Sequence, residues 1–349
     1  ATSIQKKLTI FFYKISCYNK AKLEIDYSEI NAIIEKEIKA DFIFHSMKYN
    51  SSMAAQLAYM LKELQTLVDA EAPELIIVQG DTLSAYCGSV IAFFNKIKLV
   101  HVEAGLRTDN KWGPFPEEIN RRYIDMVSDL HCAPTKDAKQ NLLKENVSSA
   151  SIIVTGNTGI DALKYIIAAK PNSDNKLFID ITHHRKNGFK IGLLTMHRRE
   201  SNPETMRDML TQIELSAEEN KLIIYFPLHP NPLFEKVFSE FDNSKFIITT
   251  KPQSYLDFVH FMNTADIILT DSGGIQEEAP SLGKPIIVLR NETERQELLD
   301  NYPAKLYDAK RLSSYIKTFL NQNISATDIF GNGKASEKIV KEIKQRLIS

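Results

Sequence analysis

Short apolar runs alternate with stretches of helical periodicity along most of this chain of 349 residues. Runs rich in β-branched residues are typical of buried strands, and they occupy residues 8–12, 74–79, 97–103, 151–155, 190–195, 221–228, 245–250, 265–270 and 284–289. Apolar residues at helical spacing and helix-start signals predict helices at residues 51–70, 83–95, 203–216, 254–263 and 309–321. Strands that alternate with helices in this way predict parallel sheets covered by helices on both faces.

The number of predicted strands favours two domains, and the chain length also agrees with about two. We predict an α/β protein built from two doubly wound, Rossmann-like domains, at residues 1–165 and 166–333. The division is placed there because residues 170–176 and 182–188 are polar and lack periodicity. We expect a final amphipathic helix at residues 334–349 to pack back on the first domain.

Charge, cysteine content and hydropathy exclude several classes of protein. The chain carries 43 Lys and Arg against 44 Asp and Glu, whereas binders of nucleic acid or membrane surfaces usually carry a basic excess. Its three cysteines, Cys17, Cys87 and Cys132, form no CxxC pair, which disfavours a zinc site or a disulfide framework. No apolar run approaches the roughly 20 residues of a membrane span, and the first residues do not resemble a signal peptide. We therefore expect a cytoplasmic protein without nucleic-acid, membrane or metal partners.

Glycine is scarce, with only 13 residues, about half of the average usage of roughly 7%. The first glycine is Gly80, so none precedes it. Dinucleotide-binding and Walker-type loops need glycines between a strand and the helix that follows it. The sequence therefore excludes such a loop after the first predicted strand.

Three acidic residues of the first domain are placed for acid–base chemistry. Asp81 and Glu103 lie at the ends of two buried strands that one helix joins, so we expect these strand ends to be neighbours. Glu117 follows Glu103 by a short loop, which lets the three carboxylates converge for proton transfer. Asp81 and Glu117 have structural alternatives, because Asp81 suits a helix cap and acids after Pro116 suit a helix start, whereas a structural role is less favoured for Glu103, which follows a fully apolar strand.

The second domain offers a candidate anion site after two other strands. His197 and Arg198 follow one buried strand and suit a diphosphate, with a solvated basic turn as the alternative. Ser272-Gly273-Gly274 lies between another buried strand and a helix start, where backbone N–H groups and the helix dipole favour phosphate. Glu278 lies about one helical turn further and suits a ribose diol. A plain strand–turn–helix is the alternative interpretation.

Six segments carry a resemblance to a known family, and they are VQGDT, HVEAGLRT, PFPEEINR, VTGNTGIDAL, MHRRES and LTDSGGIQEEAPSLGKPIIVLRNETER. In order and spacing they resemble the bacterial non-hydrolysing UDP-N-acetylglucosamine 2-epimerases over about residues 45–345. The resemblance implies a fold of the glycosyltransferase-B type, in which two domains face a cleft and a last helix returns to the first domain. It also implies a homodimer, no cofactor, and a role in supplying ManNAc-type sugars for bacterial surface polysaccharide.

The resemblance implies interconversion of UDP-GlcNAc and UDP-ManNAc by elimination of UDP to 2-acetamidoglucal and re-addition. The carboxylates of Asp81, Glu103 and Glu117 would transfer protons, although which one serves which face of C2 stays open. His197 would contact the diphosphate and assist the leaving group. The implied substrate-binding residues are Arg198, Gln253, Phe258, Ser272, Gly273, Gly274, Glu278 and Arg295, with Gln253 and Phe258 beside uracil.

The N-terminal segment departs from the pattern of this family. Family members continue from the first strand into a Gly-Thr-Arg-Pro-Glu turn, whereas this chain has Phe12-Tyr13-Lys14-Ile15-Ser16-Cys17. A lysine point charge at position 14 does not replace a bidentate arginine at a diphosphate. Alternative functions are therefore an epimerase acting on a modified UDP-N-acetyl sugar, a glycosyltransferase or hydrolase of the same fold, and a catalytically weak UDP-sugar-binding homologue.

Overall fold

The structure is a computed structural model that describes residues 52–169, 175–196, 203–228 and 235–347. Contacts within the chain divide these residues into two compact units. The first unit contains residues 52–158 and 331–347, and the second contains the described residues of 159–330. The predicted strand at residues 8–12 and the segment Phe12–Cys17 lie outside the described residues.

The first unit is built on a parallel sheet of four strands in the order β1-β2-β3-β4. Its strands are β1 (Leu75–Gln79), β2 (Lys98–Val102), β3 (Leu130–Ala133) and β4 (Ile152–Val154). Its helices are α1 (Met53–Glu71), α2 (Leu83–Phe94), α3 (Glu117–Val127), α4 (Lys136–Lys144) and, near the end of the chain, α13 (Ala335–Arg346).

Both faces of this sheet are buried, as the unbroken apolar pattern of β1 predicts. Ile76 and Val78 pack under α1 and α2, while Leu75 and Ile77 share a core with α13. The contact from α13 is made by Ile339 and Ile343, which are four residues apart and therefore lie on one face of the helix. The last helix thus completes the core of the first unit.

The second unit contains a parallel sheet of six strands in the order β10-β9-β8-β5-β6-β7. Its strands are β5 (Lys190–Thr195), β6 (Leu222–Pro227), β7 (Ile247–Thr250), β8 (Ile267–Thr270), β9 (Ile286–Val288) and β10 (Ala304–Leu306). Its helices are α5 (Thr158–Ile167), α6 (Lys176–Lys186), α7 (Pro203–Glu219), α8 (Glu235–Ser239), α9 (Tyr255–Thr264), α10 (Gly273–Ser281), α11 (Gln296–Asn301) and α12 (Leu312–Leu320).

The strand order of the second unit places a topological switch point between β5 and β8. From β5 the chain adds β6 and β7 on one side, and it then returns to the centre and adds β8, β9 and β10 on the other side. This is the strand order of dinucleotide-binding folds. The carboxyl ends of β5 and β8 meet there, since Thr195 and Thr270 share a hydroxyl hydrogen bond of 2.6 Å. Ligands in open α/β sheets bind beyond the strand ends at such a point.

The predicted fold class, α/β with two parallel sheets, is confirmed. Two strands were missed: β3 and β10 have four and three residues and include His131 and Lys305. Residues 182–188, which are polar and lack periodicity in the sequence, largely continue a helix, because α6 runs from Lys176 to Lys186 and is anchored by the buried residues Leu177 and Ile181. The predicted domain boundaries, at residues 165 and 333, stay a prediction.

Candidate functional site

The carboxyl ends of β1 and β2 bring the turns that carry two predicted site residues side by side. The strands pair in parallel, and the Gly80 amide donates a 3.0 Å hydrogen bond to the Val102 carbonyl. Gly80 adopts a left-handed φ of 67°, and a Cβ there would lie 3.5 Å from Oε2 of Glu103. The Asp81 turn and the Glu103 carboxylate therefore meet at one rim of the sheet.

Asp81 does not cap the helix that follows it, so the capping alternative is wrong. The N-cap of α2 is Thr82, whose hydroxyl accepts from the Ala85 amide at 3.3 Å. The Asp81 carboxylate instead accepts from Arg121, and its carbonyl accepts from the Asn120 side chain at 2.9 Å. Asp81 is thus held between the end of β1 and helix α3.

Helix α3 begins at Glu117, with Pro116 as its N-cap, and presents two acids of different character. Glu118 is fully buried and accepts from the Thr108 amide at 3.1 Å and from Arg122 Nε at 2.9 Å, which gives it a structural role. Glu117 is half-buried and precedes Arg121 by four residues, one turn of the same helix face. Arg121 contacts Asp81 from the helix face that Glu117 shares, and the convergence of Glu117 with the other two carboxylates stays a prediction.

A buried histidine beneath this rim was missed by the sequence analysis. His101 lies inside β2, and its ring nitrogens lie 2.6 Å from Oδ1 of Asp125 and 2.9 Å from the Gly80 carbonyl. Oδ2 of Asp125 accepts from the Gly105 amide at 3.2 Å and from Arg107 at 2.8 Å. Burial opposes ionisation of Asp125, but the charges and hydrogen bonds of these partners hold its pKa below the usual range.

The sequence analysis also missed Arg121, although the sequence contains one signal for His101 and one for Arg121. His101 is a polar residue inside an otherwise apolar strand, and Arg121 follows Glu117 at helical spacing. Arg121 is buried, and within the described residues its Nε atom has no hydrogen-bond partner. Both side chains touch the turn that carries Asp81 rather than lying on a surface.

In the second unit, the predicted phosphate turn follows the central strand β8. The Ser272 amide donates to the Thr270 hydroxyl at 2.9 Å, and α10 begins at Gly273. Among the described residues, the Ser272 side chain makes no capping hydrogen bond, and a Cβ at Gly274 would meet no atom within 4 Å. The first turn of α10 therefore presents an open backbone surface at the switch point, as an anion site requires.

Gly273 is required because a guanidinium packs against it. A Cβ at this position would lie 2.9 Å from Nη1 of Arg295, closer than real Cβ contacts. Arg295 is buried and donates through Nε to Glu277 at 2.7 Å, and it also bonds Glu294. Burial raises the pKa of Glu277 even though Arg295 opposes that shift. The predicted contact of Arg295 with a phosphate or sugar group stays a prediction.

Glu278, the predicted ribose ligand, is oriented by a neighbouring tyrosine. The Tyr255 hydroxyl donates to the Glu278 carboxylate at 2.8 Å. Burial first, and the Glu278 charge second, raise the pKa of Tyr255, so its hydroxyl keeps its proton and remains a donor.

The remaining predicted residues have different positions. Gln253 accepts from Asn175 at 2.9 Å, and Phe258 packs against the core of the second unit. His197 and Arg198 lie outside the described residues. That these residues contact the substrate stays a prediction.

In the described part of the chain, no group of three or more His, Cys, Asp or Glu residues is placed to hold a metal ion.

The fold and these two sets of residues define an α/β protein of the glycosyltransferase-B type. A family model described as UDP-N-acetylglucosamine 2-epimerase matches residues 27–344. The chain belongs to this family. The match begins earlier than residue 45, where the sequence motifs place the start of the resemblance.

Relatives support this assignment. The UDP-N-acetylglucosamine 2-epimerase of Bacillus subtilis is 39% identical over 316 residues, covering 88% of this chain and 81% of that protein. The crystal structure of UDP-GlcNAc 2-epimerase from Neisseria meningitidis bound to UDP-GlcNAc is similar with a TM-score of 0.82 and 34% identity, covering 92% of this chain and 90% of that one. The crystal structure of Methanocaldococcus jannaschii UDP-GlcNAc 2-epimerase in complex with UDP-GlcNAc and UDP is similar with a TM-score of 0.77 and 32% identity, covering 91% of this chain and 89% of that one.

No helix in the part of the chain that the structure describes combines the length and hydropathy that a membrane crossing needs.

Proposed function

We propose that this chain interconverts UDP-GlcNAc and UDP-ManNAc as a non-hydrolysing 2-epimerase. The observation that carries the proposal is the rim where the Asp81 turn meets the Glu103 carboxylate, within a chain of this family. Similar structures that contain UDP-GlcNAc support a UDP-sugar as the substrate.

The reaction needs a base, an acid and a site for the leaving group. A carboxylate removes the C2 proton, the C2–H electron pair forms the C1–C2 double bond, and the C1–O pair leaves with UDP. UDP then adds back to C1 of the 2-acetamidoglucal while an acid protonates C2 on the opposite face. Asp81, Glu103 and Glu117 would supply these protons, and Arg121 orients the carboxylate of Asp81. His197 would assist the departure of UDP.

The second unit would hold the nucleotide. The Ser272 hydroxyl and the backbone amides of Gly273 and Gly274 suit the diphosphate, because they begin a helix at the switch point of the sheet. Glu278, aligned by Tyr255, suits the ribose diol. Arg198, Arg295, Gln253 and Phe258 complete the proposed contacts, and no cofactor enters the reaction.

Incubation of the chain with UDP-GlcNAc in D2O tests the proposal. We expect deuterium at C2 of the recovered substrate and formation of UDP-ManNAc, and Asp81→Asn should reduce both by about 100-fold or more. Folded protein that gives neither product would contradict the proposal. Free sugar or transfer to an acceptor without C2 exchange would indicate a hydrolase or glycosyltransferase, and UDP binding without any turnover would indicate a binding homologue. Exchange only with a modified UDP-N-acetyl sugar would change the substrate and keep the mechanism.

We also propose a cytoplasmic homodimer whose product supplies surface polysaccharide. A neighbouring pair of helices in the first unit, α2 and α3, exposes large apolar side chains, among them Phe94 at 72% and Met126 at 78%. The rings of Tyr86 and Tyr123, 4.9 Å apart, connect the two helices. Large exposed apolar side chains on two packed helices favour association. Sedimentation of the wild-type chain and of Met126→Glu tests the dimer, and we expect the variant to dissociate.

A further inference from the structure

Both ring nitrogens of His101 face hydrogen-bond acceptors. Nδ1 lies 2.6 Å from Oδ1 of Asp125, and Nε2 lies 2.9 Å from the carbonyl oxygen of Gly80. A carbonyl oxygen can only accept, so Nε2 must carry a proton. A neutral imidazole would then present the bare lone pair of Nδ1 to a carboxylate oxygen.

The surroundings of Asp125 make it the acceptor in this contact. Its second oxygen already accepts from the Gly105 amide and from Arg107, and these donors favour the ionised carboxylate. The side chains of His101 and Asp125 are almost fully buried, with exposed fractions of 0% and 1%, which leaves no room for solvent to relieve a repulsive contact. The geometry therefore requires a proton on Nδ1 as well as on Nε2.

This doubly protonated ring holds the turn that carries Asp81. Gly80 has a left-handed φ of 67°, its amide donates to the Val102 carbonyl, and its own carbonyl accepts from His101. The amide and the carbonyl of Gly80 are thus both hydrogen-bonded to residues of β2, the strand that Glu103 directly follows. Any rotation of this turn would move Asp81, the next residue, away from the Glu103 carboxylate.

We propose that His101 is a positioning residue for the acid–base pair: protonated on both ring nitrogens, it ties the Gly80 turn to buried Asp125 and so aligns Asp81 with Glu103. The catalytic part of this inference rests on the proposed function, whereas the protonation state does not. Arg107 and His131 also contact Asp125, Arg107 is shared with Glu145, and the other charged groups near the ring are those of the rim, Asp81 beside Gly80 and Glu103 two residues after His101.

His131 provides a matched control on the neighbouring strand. It pairs in register with His101, is 2% exposed, and donates through Nε2 to the Asp125 carbonyl at 2.8 Å. Its Nδ1 lies 3.4 Å from the Ser151 carbonyl, beyond the ordinary range for N–H···O bonds. One proton satisfies His131, and its ring makes no bond to the Gly80 turn.

Nitrogen NMR of the full chain with labelled histidine tests the protonation state directly. The signals of His101 and His131 are assigned by their loss in His101→Gln and His131→Gln. In the folded chain at neutral pH we expect protons on both ring nitrogens of His101 and on one nitrogen of His131. A bare nitrogen on His101 would overturn the inference.

Kinetics of C2 exchange in the same two variants test the positioning role. We expect His101→Gln to lower kcat by about 10-fold to 100-fold, because misplacement of a catalytic group by about 1 Å can cost 100-fold. KM and the Kd for UDP should change by less than about 2-fold, as they depend on the second unit. We expect His131→Gln to keep kcat within about 3-fold of the wild type, the range of a packing change away from the Gly80 turn.

Each outcome has a distinct meaning. Equal losses of kcat in both variants, or full activity of His101→Gln, would overturn the positioning role. If His101→Gln does not fold, protonation in the wild-type chain is measured with His101 assigned by exclusion, and a bare nitrogen there still refutes the inference. If the wild-type chain shows no C2 exchange, the proposed function fails and the catalytic part fails with it, while NMR still decides the protonation.

Discussion

The Tyr255 hydroxyl donates a 2.8 Å hydrogen bond to the carboxylate of Glu278. Tyr255 lies at the start of α9 and Glu278 lies in α10, so the bond crosses between two helices beside the switch point. A carboxylate on a half-exposed side chain samples several rotamers, and the tyrosine selects one of them. Glu278 is thereby oriented before any ligand arrives.

Replacing Tyr255 by phenylalanine should weaken UDP binding without disturbing packing. Immobilising one flexible side chain costs about 0.5–1.5 kcal/mol on binding, so we expect the Kd for UDP to rise by about 3-fold to 10-fold in Tyr255→Phe. Calorimetry with UDP measures the change. Because the ring remains in place, the free energy of unfolding should change by about 1 kcal/mol or less.

Binding of 2′-deoxy-UDP tests whether the Glu278 carboxylate contacts the ribose. If its carboxylate accepts from the 2′-hydroxyl, the wild-type chain should bind 2′-deoxy-UDP more weakly than UDP, and Tyr255→Phe should add little further loss with the deoxy ligand. Equal losses with both nucleotides would show that Tyr255 acts through packing, and the ribose assignment of Glu278 would then be wrong.

Amide replacements of the three carboxylates should separate chemistry from binding. We expect Asp81→Asn, Glu103→Gln and Glu117→Gln each to reduce C2 exchange by about 100-fold or more, the upper range for loss of a general acid or base. Affinity for UDP should remain within a few-fold, since the proposed nucleotide contacts lie in the second unit.

Asp129→Asn serves as the matched control for these amides. Asp129 pairs with Lys98 at the opposite end of the same sheet, and it accepts from the Leu99 amide at 2.9 Å. Exchange should be unchanged in this variant. Parallel losses of exchange and UDP affinity in the Asp81, Glu103 or Glu117 variants would instead assign those residues to structure.

The two glycines of the phosphate turn should respond differently to alanine. Gly273→Ala forces a Cβ against Arg295, which Glu277 and Glu294 hold in place, so we expect a loss of about 1–3 kcal/mol in the free energy of unfolding. Gly274→Ala meets no described atom and should stabilise the helix by about 0.5–1 kcal/mol. Denaturant titration measures both changes.

Binding of UDP by the Gly274 variant tests the phosphate site itself. A phosphate that approaches the backbone there leaves no room for a Cβ, so a more stable protein with weaker UDP binding is the expected result. Unchanged UDP affinity in Gly274→Ala would place the diphosphate elsewhere in the second unit.

The sequence predicts the fold better than it predicts the hydrogen bonds of the candidate site. β6, Leu222–Pro227, is found because it is an almost wholly apolar run, and Ser272 follows a strand end that any parallel sheet exposes at one edge. β10 is missed because three residues carry too little pattern. The partners of His101 cannot be predicted, since Gly80 and Asp125 are 21 and 24 residues away along the chain and meet it only after the sheet has formed.

Acid should unfold the wild-type chain partly through Asp125. Its partners lower the pKa of this carboxyl below the ordinary value of 3.8. A carboxyl with a lowered pKa in the folded state stabilises the protein above the unfolded-state value, and this stabilisation is lost as the pH falls through the folded-state value. The unfolding free energy should therefore fall progressively below about pH 4, close to the ordinary pKa of an aspartate.

Denaturant titrations of the wild type and of Asp125→Asn, from neutral pH down to the acid transition, measure the contribution of this residue. At neutral pH the variant should be less stable by about 3–5 kcal/mol, because it leaves His101 and Arg107 without their buried anion. The difference between the two proteins should shrink as the pH falls below about 4, since the carboxyl of the unfolded wild-type chain is protonated there and that of the folded chain only at a lower pH. A difference in unfolding free energy between the two proteins that stays constant with pH would contradict this prediction. If Asp125→Asn is unfolded at every pH, Arg107→Gln removes one of the two charged partners of Asp125 and should move the acid transition of the folded chain to higher pH.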